Sequence, residues 1–401
     1  MEIVGTEYKM GEVMEIISME VEAAMAGATT LVPVLAGDPG IGKSASMKFL
    51  AKKMNMDIAI FSVGASTMEE WSGLPEFGTM KIDARLHIAG KEDARTTEWT
   101  MSGIVATINA ATTNAVNSGK NGVLVLLDDL HLVEPIVQKY LFEFLQNKTL
   151  QNFKLDPAAY LVGAMNGKDS AGMEGFLSAV LNRLAIYHVK FDMEFWYKNV
   201  GYNLHPYIAS FAQQAGHQKY FTGANATDGA SPSPRTWTDL SSFLPYIEEQ
   251  TRGDLPRLNR ICQIAADARV GSNAATDFMT HVTLFQKFDF DGILKKRDPK
   301  VKVGSDLNDQ ILMAFIIRYI KTEKDAEYLV ELLKGNMDRR TFISIFMQEF
   351  SVLFTSIDKM EEGQQKKAIA KVCDLIATDD QDAFSNEMLD IVSAAMLDIL
   401  D

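Results

Sequence analysis

One octapeptide constrains this 401-residue chain more than any other stretch: Gly37-Asp38-Pro39-Gly40-Ile41-Gly42-Lys43-Ser44, a complete GxxxxGK[ST] pattern. The pattern needs a strand before it and a helix after it. Its glycines turn backbone N–H groups inward, and the helix start presents further N–H groups to the same anion. The flanks comply: residues 31–36 form a short apolar run of strand character, SMKFLAKKMN reads as a helix, and DIAIFSV reads as a second strand. Pro33 cannot donate to a sheet ladder, so it is expected near the start of its strand or at an irregularity. The candidate nucleotide-binding span runs from Gly37 to Ala45. Lys43 would reach the β and γ phosphates of ATP, and Ser44 would place its hydroxyl on magnesium. A glycine-rich turn capped by serine is the plainer alternative, but it gives no reason for Lys43 in the middle of an anion nest.

A second signal lies downstream. In GVLVLLDDL, the apolar run Val123 to Leu127 has the pattern of a strand buried on both faces of a parallel sheet, and it ends in Asp128 and Asp129. Ligands of doubly wound sheets bind at that carboxyl edge. Asp128 would hold the magnesium and Asp129 would polarise an attacking water. Alternatively, the pair ends a strand and caps the next helix.

Around these motifs, a helix is expected over 9–26, another within SGIVATINAATTNAVNSG, and a third over 135–146. Residues 148–155 look like a short hairpin, and AYLVGAMN like another buried strand. Residues 64–121 read as a decorated connection, with EEWSGLPEFG and a possible strand over 85–88. Strands alternating with helices predict a doubly wound parallel-sheet α/β core. From residue 194 the strand signals fade; 222–235 reads as a Gly/Ser/Pro loop, and the remainder as helix and turn.

Composition narrows the chemistry. Fifty-three acidic and 39 basic residues leave a net charge of −14, which disfavours a nucleic-acid coat. Eight of those charges belong to residues 372–401, which contain no lysine or arginine, so the rest of the chain stands at −6. Cys262 and Cys373 form no metal or disulfide spacing, and the six histidines show no HExxH pattern. His131, two residues beyond Asp129, could tune the acid pair or start a helix. The N-terminus has no unbroken apolar core of a signal sequence and no long apolar span follows, so a cytoplasmic protein without membrane segments is expected.

The chain resembles the AAA+ ATPases, and within them the MoxR type in its stand-alone bacterial and bacteriophage forms. The resemblance covers about residues 1–283 and rests on GDPGIGKS, VLVLLDDL, LVGAMN, FLSAVLNRL and SPRTW. It implies that Asn166 is the sensor 1 residue, that Arg183 is an arginine finger serving a neighbouring subunit, and that Arg235 is sensor 2. It also makes 148–155 the pre-sensor 1 hairpin and puts a helix 2 insertion near residues 69–77. Read singly, Asn166 could be a turn residue, Arg183 a surface ion pair and Arg235 a loop cation. Where the family usually has Asp-Glu, this chain has Asp128-Asp129, which puts slow hydrolysis within reach.

The domains implied are an AAA+ unit over 1–193, a helical lid over 194–283 and a helical extension over 284–401 whose acidic tail is an amphipathic helix or a partner-docking one. The function implied is ATP hydrolysis at the subunit interfaces of a hexameric ring, coupled to remodelling a partner protein, commonly one with a von Willebrand factor A domain. A nucleic-acid motor, with Lys148 and Lys154 as the basic pore candidates, and a nucleotide-gated scaffold are the alternatives.

Overall fold

The computed structural model describes residues 6–28, 31–81, 93–167, 176–214, 216–222, 230–298, 301–336, 338–355 and 363–378. The possible strand over 85–88, residues 223–229 of the 222–235 loop and the acidic tail beyond 378 lie outside them. The chain divides into two compact units, 1–192 and 193–401.

Among the described residues the first unit has ten strands: β1 (Tyr8–Lys9), β2 (Val32–Gly37), β3 (Asp57–Ser62), β4 (Pro75–Lys81), β5 (Asp93–Trp99), β6 (Val123–Asp128), β7 (Thr149–Leu150), β8 (Phe153–Lys154), β9 (Ala159–Asn166) and β10 (Leu184–Lys190). Its helices are α1 (Met10–Met25), α2 (Lys43–Lys53), α3 (Met68–Ser72), α4 (Gly103–Asn117), α5 (Gln138–Asn147) and α6 (Ser178–Leu181). Six strands form one parallel sheet in the order β1-β10-β2-β9-β6-β3. Val123 through Leu127 are fully buried, as a strand covered on both faces requires. The expected α/β class is the one observed.

Pro33 fits for a directional reason. The Val32 N–H donates to Arg183 O at 2.9 Å, toward β10, so the N–H position of the next residue faces the β9 side. The β2–β9 register begins only at Val34, so the proline removes no ladder bond.

Three local readings change. The connection after β3 carries α3 and an antiparallel pair, β4 with β5, whose ends register Pro75 with Trp99. Helix α5 starts at Gln138, later than expected, because residues 134–137 close a turn through Val137 N–H to Glu134 O at 2.9 Å. β10 was not anticipated; residues 184–187 are apolar in sequence, but only Leu184 and Val189 of its seven residues are buried.

Among the described residues, the regular elements of the second unit are all helical: α7 (Met193–Asn199), α8 (Pro206–Gln213), α9 (Pro234–Gln250), α10 (Leu255–Val270), α11 (Ser272–Phe285), α12 (Phe290–Lys296), α13 (Leu307–Ala314), α14 (Glu323–Gly335), α15 (Arg340–Thr355) and α16 (Gln364–Thr378). Pro234 and Arg235, read as loop, are the first two residues of α9 after the Ser233 N-cap. An aromatic core centres on Phe211, with Trp237 at 5.3 Å and Phe278 at 5.5 Å. His281 lies in the same core, and burial pushes its imidazole down to about 3, so it is neutral there. No helix among the described residues is long and apolar enough to cross a membrane.

Candidate functional site

Parallel strands deliver their carboxyl ends to one edge, and the register aligns those ends. Gly37 of β2 pairs with Asn166 of β9, and Asp128 of β6 pairs with Ser62 of β3. The glycine loop leaves β2 at this edge and turns into α2. Gly40 and Gly42 have φ of 82° and 99°, a conformation that costs an L side chain strain and glycine none. Gly37 is required for a different reason: a Cβ there would lie 2.5 Å from the Val189 carbonyl oxygen.

A helix start leaves its first N–H groups without intrahelical acceptors, and in α2 that turn is the end of the loop. Ile41 is buried and anchors the loop, while Asp38 and Pro39 are exposed at its tip.

Lys43, itself buried, folds its amine back on the loop and donates to Gly37 O and Asp38 O, each at 2.8 Å. The same amine also donates to Asn166 Oδ1 at 3.5 Å. Ser44 Oγ donates to Asp128 Oδ2 at 2.6 Å, so residues 84 positions apart share one short bond. A hydroxyl and a carboxylate are both hard oxygen donors, and together they suit magnesium, which takes one or two protein oxygens and completes its shell with water and phosphate.

Asp129 adopts φ 55° and ψ 36°. Its N–H donates to Asp128 Oδ1 at 3.0 Å, and its own Oδ2 accepts from Ser62 Oγ at 3.4 Å. The single-turn helix after it, Leu130–Leu132, brings His131 onto Asn166. The Asn166 N–H lies 3.3 Å from His131 Nδ1, and the side-chain amide 2.9 Å from Nε2. Burial lowers the His131 pKa, opposed by Asp129; Lys43 adds to the lowering.

Two glycines make this approach possible. A Cβ on Gly163 would meet Leu130 Cδ1 at 2.6 Å, and one on Gly64 would meet Leu132 Cβ at 2.4 Å. The glycine inside the buried AYLVGAMN strand was the only sequence sign of this contact.

The structure thus brings together Gly37 to Ala45, Asp128, Asp129 and Asn166, and adds His131. Arg183 is elsewhere. Its guanidinium lies 3.8 Å over the Phe142 ring, donates through Nε to Gln146 Oε1 at 3.0 Å, and also bonds Ala179 O. Its carbonyl accepts from Val32, at the amino end of β2, whereas the loop begins at Gly37. Five residues of strand separate the two, about 16 Å. Arg235 is exposed in the first turn of α9, in the second unit.

Lys148, a pore candidate under the nucleic-acid alternative, is the C-cap of α5 and donates to Ala159 O at 2.7 Å, lies over Tyr160, and has its pKa lowered by burial. Lys154 is exposed on the hairpin formed by β7 and β8.

No family model and no curated protein matches the chain. Among solved structures it is similar to the Thermotoga maritima RuvB Holliday junction branch migration motor, at 14% identity and a TM-score of 0.35 over 71% of this chain and 74% of that one. Another RuvB structure matches at 13% identity and a TM-score of 0.37 over 82% and 88%. Likeness at that level says nothing of activity, so function is argued from the chain's own strand order and side chains.

Proposed function

We propose that the chain is a magnesium-dependent ATPase of the AAA+ type, assembled as a hexameric ring in which each nucleotide site borrows an arginine from its neighbour. The observation that carries the reading is the Ser44–Asp128 hydrogen bond of 2.6 Å, formed beside Lys43 and Asn166 at the carboxyl ends of adjacent parallel strands.

The glycine loop and the start of α2 would hold the phosphates through N–H groups. Lys43 would exchange the Gly37 and Asp38 carbonyls for phosphate oxygens, since a full negative charge is the stronger acceptor for an ammonium. Asp129 would accept the proton of the attacking water, and Asn166 would orient that water or the terminal phosphate. Ser44 and Asp128 would hold magnesium, whose chemistry there would be charge neutralisation on the phosphates.

Arg183 cannot serve the loop of its own chain across about 16 Å of strand. A role at a neighbour's phosphate fits its place, and the contacts with Gln146 and Phe142 hold it ready. By resemblance, Arg235 would couple nucleotide state to the helical lid, and the work done would be remodelling of a partner protein, a von Willebrand factor A domain protein among the candidates. The engagement of Lys148 within the fold favours a protein over a nucleic acid as the partner.

Mixing Lys43→Ala and Arg183→Ala proteins tests the shared site. Each variant alone should lose ATP hydrolysis, and the mixture should regain part of it, because some interfaces join an intact loop to an intact arginine. An Arg183→Ala protein that hydrolyses ATP normally, together with a mixture that regains nothing, overturns the proposal.

A further inference from the structure

A cavity of about 290 Å³ lies in the second unit, lined by residues of α11 and α13 and by Gln214 and His217, which follow α8. That volume stands near the lower end of small-molecule sites and far above the room a single water needs.

Two of its lining side chains carry unpaired nitrogens. His281 is 1% exposed and Gln214 7% exposed, and His281 Nδ1 and Gln214 Nε2 are buried without a hydrogen-bond partner among the described residues. Folded proteins rarely leave even one such atom unpaired, because it loses its water on burial and gains nothing in return. The His281 ring cannot relieve this by turning over. Its other nitrogen, Nε2, lies 2.7 Å from Ser210 Oγ, so a flip would exchange one unpaired atom for another. Two orphaned nitrogens beside one cavity mark a place where a polar molecule is received.

Charge limits what that molecule is. Among the described residues no lysine or arginine lines the cavity, and its one carboxylate, Asp277, accepts the Tyr220 hydroxyl on Oδ2 at 2.6 Å. Lys219 lies over the Tyr220 ring instead. Burial holds His281 neutral and lowers the pKa of His217. An anion would therefore meet a carboxylate with no counter-charge. An ammonium would suit Asp277, but it only donates and does nothing for the Gln214 nitrogen. A hydroxyl both donates and accepts, so it satisfies an amide nitrogen, and an imidazole nitrogen in either tautomer, while the second Asp277 oxygen can accept another. Leu284, Leu307 and Ile311 supply the apolar part of the lining, which the C–H face of a sugar ring covers and water does not.

We propose that this cavity binds a small uncharged polyhydroxylated molecule, a monosaccharide or cyclic polyol, through Gln214, Asp277 and His281. The site belongs to the second unit and is tested apart from ATP hydrolysis.

The full chain, labelled with 15N-histidine, is titrated with myo-inositol, glucose, inorganic phosphate and butylamine, the ring signals being assigned by substituting the other histidines in turn. Myo-inositol or glucose should bind saturably in the millimolar range and shift the His217 and His281 signals. Phosphate and butylamine should leave both unchanged. Thr280→Trp, a large residue at an exposed lining position, should abolish the shifts while the thermal transition stays in place. Asp277→Asn, which keeps an acceptor for Tyr220, should weaken binding about tenfold. Gln214→Met should weaken it about fivefold without lowering the thermal midpoint of the free protein, since the nitrogen it removes has no partner to lose. Equal shifts from phosphate or butylamine, binding that survives Thr280→Trp, or a Gln214→Met protein that is less stable yet binds as before overturns the proposal. So does a cavity that holds ordered water only, with no polyol shifting either histidine.

Discussion

At the scale of single residues, Asp129 shows how backbone and chemistry constrain each other. Its φ of 55° lies in the left-handed region, which Asp and Asn enter more readily than longer residues because the short polar side chain bonds locally. Here the neighbouring acid makes the local bond: the Asp129 backbone N–H donates to Asp128 Oδ1. Asp129→Asn should keep the fold and nucleotide binding while hydrolysis falls about 100-fold or more, measured by phosphate release alongside a binding isotherm. Asp129→Glu should lower the unfolding free energy by up to about 1 kcal/mol in urea, because a longer side chain enters the left-handed region less readily than Asp. A gain in turnover from the same variant would favour the slow scaffold over the working ATPase.

The residues whose role depends on sequence spacing were legible in advance. Gly37 to Ser44 form a local pattern, and Asp128 ends an apolar run, so both could be placed on strand ends without coordinates of any kind. His131 was legible only as a neighbour of Asp129. Its contact with Asn166 spans 35 residues and exists because Gly163 and Gly64 lack side chains, a three-dimensional condition that no periodicity encodes. Arg183 was placed by resemblance, but its hold on Gln146 and Phe142 depends on how α5 and α6 meet.

Among the elements, the buried strands announced themselves; of the partly exposed ones β3 did and β10 did not. β6 and β9 are covered on both faces and read as apolar runs, whereas β10 is only half buried and β4 with β5 form a pair apart from the main sheet. The base of that pair hangs on Gly73, which has φ 71° and ψ −172°, a region essentially reserved for glycine. A Cβ there would lie 2.1 Å from the Thr100 carbonyl oxygen. Leu74 N–H donates to Thr100 Oγ1 at 2.8 Å, and Thr100 N–H returns to Leu74 O at 2.9 Å, closing the base. Gly73→Ala should cost roughly 2–3 kcal/mol in urea unfolding and raise amide exchange at Thr100. Trp71, fully buried and edge-on to Phe144 at 5.5 Å, gives the fluorescence signal for the transition. Unchanged stability would mean that the strand pair is not anchored at this glycine.

For the molecule as a whole, the second unit joins what the sequence suggested were a lid and an extension. Arg318, before α14, donates to Glu349 of α15 at 2.7 Å, and Tyr197 of α7 donates to the other oxygen of the same carboxylate. Glu349 is fully buried, and the Arg318 guanidinium lies 4.1 Å over Tyr202 and 4.7 Å over Phe315. Phe290 of α12 extends the link by stacking on Tyr319 at 4.7 Å and packing on Phe285 of α11 at 5.3 Å. One buried charge pair thus pins the first helix of this unit to its penultimate one. A buried pair is costly to break and cheap to replace, because removing one partner strands the other charge without solvent. Arg318→Met and Glu349→Leu should each destabilise the second unit by about 3–5 kcal/mol in urea, followed by Trp196 and Trp237 fluorescence. The double variant should recover most of that loss, with a coupling well above 1 kcal/mol. All three variants should lose stability in a single transition that also carries the α14–α16 helices, since those helices share the pinned core. Two separate transitions, with the tryptophan signal indifferent to Glu349, would show instead that the helices on either side of residue 284 fold independently.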